Sequence, residues 1–124
     1  MSETPSPQFW CDISVPDATA LCDFYAGVTG LTPVGVDMGG YADYTLTDPA
    51  TGAGLAGVCH ARGVNADLPP VWLVYFTVSN LDEALALAVQ RGGRLAAGPK
   101  GEGPRFAVVQ DPAGAYFALY QPQT

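Results

Sequence analysis

The chain has 124 residues and a formal net charge of −7, with 12 acidic and only five basic side chains. The length fits a single domain over 1–124, and so few basic residues argue against nucleic acid or a membrane as partner. No apolar run reaches 18 residues, and residues 1–8 lack the basic start and apolar core of a signal peptide, so we expect a frayed tail. Three cysteines, an odd and sparse set, favour a reducing cytoplasm over a disulfide framework.

The first half of the chain predicts one helix between strands. Residues 9–15 alternate as in a strand, and Asp17 then suits a helix N-cap. The helix that follows has an apolar stripe at helical spacing and ends at Gly30. Three more strands are predicted at 31–37, 41–47 and 55–60, separated by turn sequences. The stripe consists of Leu21, Phe24, Tyr25 and Val28.

The second half repeats this order. Residues 72–78 predict a strand, and Asn80 with Glu83 resembles a capping box before a helix that Gly92 closes. Strands are predicted at 94–97, 106–110 and 116–121, with a Gly/Pro-rich loop at 99–104. Each half is therefore a βαβββ module: module one spans 9–60, a linker 61–71, and module two 72–122. The stripe of the second helix consists of Leu81, Ala84, Leu85 and Ala88.

The two modules align at a constant offset of 63 residues. Asp48-Pro49 of module one falls on Asp111-Pro112 of module two. After one single-residue gap, Ala56 falls on Ala118. The offset predicts a duplicated unit and an α+β fold of two tandem βαβββ modules.

This pattern resembles the vicinal oxygen chelate superfamily, which includes glyoxalase I, extradiol dioxygenases and bleomycin-resistance proteins. The resemblance rests on Val15-Pro16-Asp17 entering a helix with Phe24-Tyr25, and on Asp111-Pro112-x-Gly114 before the last strand. More narrowly, 72–76 and 111–119 look like a bacterial subgroup that is often labelled glyoxalase-like or hydroxylase. The resemblance implies that the two modules form a curved mixed sheet around a barrel-like cavity. It also implies a homodimer, because the scaffold commonly pairs.

In the metal-dependent members of that superfamily, the resemblance implies four inward-facing ligand positions. They fall here on Trp10, Ala56, Leu73 and Ala118. None of these side chains coordinates a divalent cation, which needs imidazole, carboxylate or thiolate. We therefore expect no metal site and no cofactor.

Strand alternation divides the remaining side chains between the helices and the cavity. If Trp10 faces the cavity, seven candidate ligand-binding residues in all face it, while Ile13 and Val15 pack under the helix. A few polar groups among aromatic walls are typical of small-molecule sites, although aromatic side chains also simply fill a core. The seven are Trp10, Asp12, Tyr44, His60, Tyr75, Tyr116 and Tyr120.

Two of these residues could perform acid–base chemistry. Asp12 is a carboxylate in an otherwise apolar strand, which is expensive to bury without a partner. It could act as a general base or hold a ligand, or it could bond a neighbouring tyrosine hydroxyl. His60, the only histidine, could transfer protons or could lie at the surface near Arg62.

The sequence thus predicts a metal-independent small-molecule binding protein that holds an aromatic or cationic guest. The alternative is a metal-independent enzyme, of lyase, isomerase or hydroxylase type, that uses Asp12 or His60 as its acid–base catalyst.

Overall fold

The computed structural model describes residues 9–122, so the tail predicted at 1–8 lies outside the described residues. Two helices and eight strands follow the predicted βαβββ-βαβββ order, which confirms the α+β fold class. The helices are α1 (Ala18–Thr29) and α2 (Leu81–Gln90). The strands are β1 (Phe9–Val15), β2 (Thr32–Asp37), β3 (Ala42–Thr47), β4 (Gly54–His60), β5 (Leu73–Thr77), β6 (Arg94–Lys100), β7 (Arg105–Gln110) and β8 (Tyr116–Gln121).

The described chain divides into two compact units. The first unit is Cys11–Trp72, with strands in the order β2-β3-β4-β1. The second unit contains 73–122, with strands in the order β5-β8-β7-β6, and residues 9–10 group with it. In each unit the first and last strands pair in parallel, β1 with β4 and β5 with β8, and the other neighbours are antiparallel.

Both helices begin at the predicted caps. The Asp17 side chain accepts a hydrogen bond from the Ala20 N–H, and the Asn80 side chain accepts one from the Glu83 N–H. Asn80 also donates to the Glu83 carboxylate. At the other end of α1, Gly30 has φ of 77°, a left-handed conformation that glycine adopts without strain. Neither helix of the described chain is long and apolar enough to cross a membrane.

The predicted buried face of α1 is partly wrong. Phe24 and Val28 are 59% and 68% exposed, while Ala18 and Cys22 are buried. Residues 18, 21, 22 and 25 have the same helical spacing as the predicted stripe, and this set packs on the sheet. The predicted stripe of α2 is confirmed: Leu81, Ala84, Leu85 and Ala88 all belong to the core of the second unit.

Strand β6 is longer than predicted. It runs through Gly98 and Pro99 to Lys100, where a loop was expected. Its register against β7 shifts twice, between Leu95 and Ala97 and again before Lys100. Bulges of this kind let a strand at the end of the order accommodate glycine and proline.

Each unit has its own core between helix and sheet. In the first unit it is formed by Ile13, Ala18, Cys22, Leu46 and Val58. In the second it is formed by Leu81, Ala107, Val109 and Leu119. Because side chains alternate along a strand, the members of these cores identify which residues lie on the opposite, helix-free face of each unit.

Candidate functional site

Three of the predicted tyrosines share the helix-free face of the second unit. On β8, Phe117 and Leu119 pack against α2, so Tyr116 and Tyr120 lie on the other face. Tyr75 on β5 is in register with Ala118, and Thr77 with Tyr120, which places Tyr75 on that same face. We call Tyr75, Tyr116 and Tyr120 the tyrosine surface.

The residues of the tyrosine surface are half-buried, and a further aromatic ring, Phe106, packs beside them. Tyr120 is in register with Phe106 on β7, and the Tyr75 and Phe106 rings lie 5.9 Å apart with a 52° tilt. All three tyrosines keep part of their surface accessible. Rings that are supported at the edge and partly open can pack against a flat guest, and their hydroxyls can donate or accept hydrogen bonds.

Asp12 lies on the helix-free face of the first unit, as predicted. Its neighbours Ile13 and Val15 pack with α1, and Asp12 is in register with Gly57. The same face carries Ser14 and Cys59, which are in register with each other. Ser14 is buried, and Asp12 is half-buried.

Tyr44 does not lie on that face, and its predicted orientation is wrong. It packs with the α1 core, and its hydroxyl is 2.8 Å from the Thr19 hydroxyl on α1. Val58, its register partner on β4, is likewise fully buried in the α1 core, although it has the same strand parity as the predicted cavity residue His60.

The orientation of Val58 is explained by a bulge in β4. Thr47 is in register with Gly54, but Leu46 is in register with Ala56, so one extra residue lies between them. In the second unit, Gln110 and Val109 are in register with Tyr116 and Phe117, without an extra residue. Beyond the bulge, the modules therefore align at an offset of 61 between β4 and β8, and Gly57, not Ala56, corresponds to Ala118.

The bulge reverses the predicted sides of β4. Cys59 now shares the helix-free face with Asp12, and Asp43 of β3 joins them through a hydrogen bond to the thiol. Burial, the nearby Asp12 and Asp43 charges and that hydrogen bond raise the pKa of the Cys59 thiol well above its usual range. Cys59 is therefore held as a neutral thiol, and is a poor nucleophile.

His60 lies at the end of β4, beside Asp43. The His60 backbone N–H donates to Asp43 Oδ1 at 2.8 Å, and His60 Nδ1 is 3.4 Å from the same oxygen. The ring meets Tyr41 edge-on, with centroids 5.5 Å apart. The Arg62 guanidinium lies 3.9 Å from the centre of the Tyr41 ring.

Comparison with known proteins now identifies the family. The model of the Glyoxalase/Bleomycin resistance protein/Dioxygenase superfamily matches residues 8–119. The chain belongs to this superfamily. It is 33% identical to the anthracycline biosynthesis protein DnrV of Streptomyces peucetius, over 94% of this chain and 47% of DnrV.

The chain is also similar to a second curated protein and to a solved structure of the superfamily. The chain is 30% identical to the putative glyoxylase CFP32 of Mycobacterium bovis, over 91% of this chain and 43% of that protein. It thus spans about half the length of the curated relatives it matches. A superfamily member from Vibrio splendidus 12B01 has the same fold, with a TM-score of 0.55, 15% identity, and coverage of 94% of this chain and 99% of that one.

The metal that many members of the superfamily bind does not fit the residues at the expected positions. With the bulge in β4 taken into account, these positions hold Trp10, Gly57, Leu73 and Ala118, which offer no side-chain donor that a divalent cation prefers. Among residues 9–122, no three histidine, cysteine or acidic side chains are grouped so that they could hold a metal ion.

The structure places the predicted site residues in both units. It places Tyr75, Tyr116 and Tyr120 together on one face, Asp12 on the helix-free face of the first unit, and Tyr44 under α1. Trp10 groups with the second unit and is 36% exposed. Sequence reasoning missed Asp43, a buried carboxylate that contacts both Cys59 and His60. The alternation of Asp43 with Tyr44 and Leu46 along β3 was the available signal.

Proposed function

We propose that this chain binds a small organic molecule, aromatic or cationic in character, on the tyrosine surface and without a metal ion. One observation supports this most directly: Tyr75, Tyr116 and Tyr120 lie on a single helix-free sheet face and are only half-buried. Membership of a superfamily named after bleomycin resistance and glyoxalase supports a small-molecule ligand.

The chemistry of the tyrosine surface suggests the class of guest. Phenol rings offer apolar faces with a negative quadrupole, which attract flat aromatic groups and organic cations. The formal charge of −7 adds long-range attraction for a cation. The competing explanation is that the rings only pack within the protein and bind no ligand. The experiment must distinguish these two explanations.

Asp12 is the polar candidate that we propose on the first unit. A half-buried carboxylate can accept a hydrogen bond from a ligand ammonium or hydroxyl group. Losing such a bond costs about 1.5–3 kcal/mol, so Asp12→Asn should weaken binding by about 10- to 150-fold if Asp12 contacts the guest.

The experiment is a thermal-shift screen of aromatic amines and organic cations, followed by titration of each hit. Replacing a ring of the tyrosine surface, as in Tyr120→Leu or Tyr116→Leu, should weaken binding by about 2- to 12-fold, because an aromatic contact contributes about 0.5–1.5 kcal/mol. Phe24→Leu is the matched control, since Phe24 is an exposed ring on α1. Equal loss in the control, or affinity that disappears with EDTA, would contradict the proposal.

We also propose that the chain forms a homodimer. Strand β2 ends the strand order of the first unit, and all six of its residues are exposed, including Val34 and Val36. An open apolar edge of this kind favours a symmetric partner. Sedimentation at tens of micromolar should give the dimer mass, and a monomer would contradict the proposal.

A further inference from the structure

The contact between Asp43 and His60 has the geometry of an acid–base pair. His60 Nδ1 is 3.4 Å from Asp43 Oδ1 and is buried, but it is not aligned for a hydrogen bond. The two side chains are 16% and 9% exposed. Catalytic hydrogen bonds are often long or poorly aligned in a protein without substrate, so this separation is compatible with a working pair.

The carboxylate next to Nδ1 determines which ring nitrogen holds the proton. If Nδ1 carried a lone pair, that lone pair would lie beside a carboxylate oxygen, which is unfavourable. A proton on Nδ1 turns the contact into an attraction, so the Nδ1–H form is favoured and the lone pair is left on Nε2. No described residue hydrogen-bonds to Nε2, and part of the His60 side chain is exposed.

The surroundings hold this arrangement in place. Asp43 Oδ1 is fixed by the His60 backbone N–H at 2.8 Å, and the Asp43 carboxylate also accepts from the Cys59 thiol. Tyr41 supports the imidazole edge-on. The charged or titratable groups around His60 are thus Asp43, Cys59 and Tyr41, with Arg62 beyond Tyr41 and Asp12 beyond Cys59.

We propose that His60 is a general base and that Asp43 is its positioning residue. In the proposed step, Nε2 takes a proton from water or from a hydroxyl group while the oxygen keeps the electron pair and attacks an electrophile. The resulting imidazolium is balanced by Asp43, and it then returns the proton to solvent or to a leaving group. The step needs no metal and does not depend on the tyrosine surface.

The first test uses the tautomer of the only histidine. Nitrogen NMR of labelled protein above neutral pH should give the Nδ1–H form for His60. Asp43→Asn should shift the population toward the Nε2–H form. Asp23→Asn, which removes an exposed carboxylate on α1, should leave the tautomer unchanged. An Nε2–H imidazole in the parent protein, or the same tautomer in Asp43→Asn, would overturn the positioning role.

The second test uses 4-nitrophenyl acetate as the probe. A water O–H bond breaks as its oxygen bonds to the acetyl carbon, the proton goes to Nε2, and nitrophenolate leaves with the electrons of the broken C–O bond. The rate should fall about tenfold or more in His60→Gln and Asp43→Asn, but not in Asp23→Asn. A parent rate equal to that of His60→Gln would overturn the proposal.

Discussion

The hydrogen bond between Trp72 and Tyr25 offers a sharp test of how the first unit is held together. Trp72 is the last residue before β5, and its indole Nε1–H donates to the Tyr25 hydroxyl at 2.9 Å. The two rings meet edge-to-face, with centroids 5.1 Å apart at 78°. Both side chains pack on the core of the first unit. The contact therefore anchors the end of the 61–71 linker to helix α1.

Tyr25→Phe removes the hydroxyl and keeps the ring contact. The loss is a neutral hydrogen bond, worth about 0.5–1.5 kcal/mol, plus part of the cost of leaving a half-buried indole N–H unpaired. We expect the free energy of unfolding to fall by about 1–2 kcal/mol. With a urea slope of about 2 kcal/mol per molar, the midpoint should fall by about 0.5–1 M.

The assay is urea unfolding followed by tryptophan fluorescence and, independently, by circular dichroism. Tyr41→Phe is the matched control, because no described residue hydrogen-bonds to the Tyr41 hydroxyl; it should change stability by less than about 0.5 kcal/mol. A cycle with Trp72→Phe should give a coupling energy near the hydrogen-bond value. If Tyr25→Phe and Tyr41→Phe unfold at the same urea concentration, the anchoring role is refuted.

Three further predictions concern the second unit and the thiol of the first. Leu81→Ala should cost about 2–5 kcal/mol of unfolding free energy, measured in urea, because Leu81 is fully buried in the second core. Asn80→Ala should cost about 1 kcal/mol by the same measurement, since it removes the cap from the Glu83 N–H; no loss would contradict the capping role. Asp43→Asn should speed alkylation of Cys59 by iodoacetamide at pH 8 relative to Cys11, because removing the charge and hydrogen bond lowers the thiol pKa toward its usual value. An unchanged Cys59 rate would contradict that cause.

The duplicated pattern predicted the element order because each signal was local. Caps, turns and helical spacing are written in neighbouring residues, and Asp17, Asn80 and Gly30 function as expected. The buried face of α1 was missed because Ala18 and Cys22 are small, whereas Phe24 and Val28 are large and apolar but exposed. At the offset of 63, residues 18, 21, 22 and 25 correspond to the correctly predicted stripe of α2. The repeat could therefore have predicted the buried face of α1.

The candidate site was harder to predict because it depends on register. A single extra residue at Leu55 reverses the alternation along β4, so Cys59, and not Val58, lies on the helix-free face. Nothing in the local sequence distinguishes a bulge from a one-residue longer turn. β8 has no such bulge, and there the predicted side of Tyr116 and Tyr120 agrees with the core contacts of Phe117 and Leu119.

The most direct test of the proposed function is NMR of tyrosine rings during titration with a ligand found in the thermal-shift screen. The chain has six tyrosines, three on the tyrosine surface and three in the first unit. We predict saturable shifts of the Tyr75, Tyr116 and Tyr120 ring signals, with Tyr25 and Tyr44 unmoved because they pack against the core of the first unit. Saturable shifts confined to Tyr25 and Tyr44, or binding that leaves all three rings of the tyrosine surface unchanged, would contradict the account.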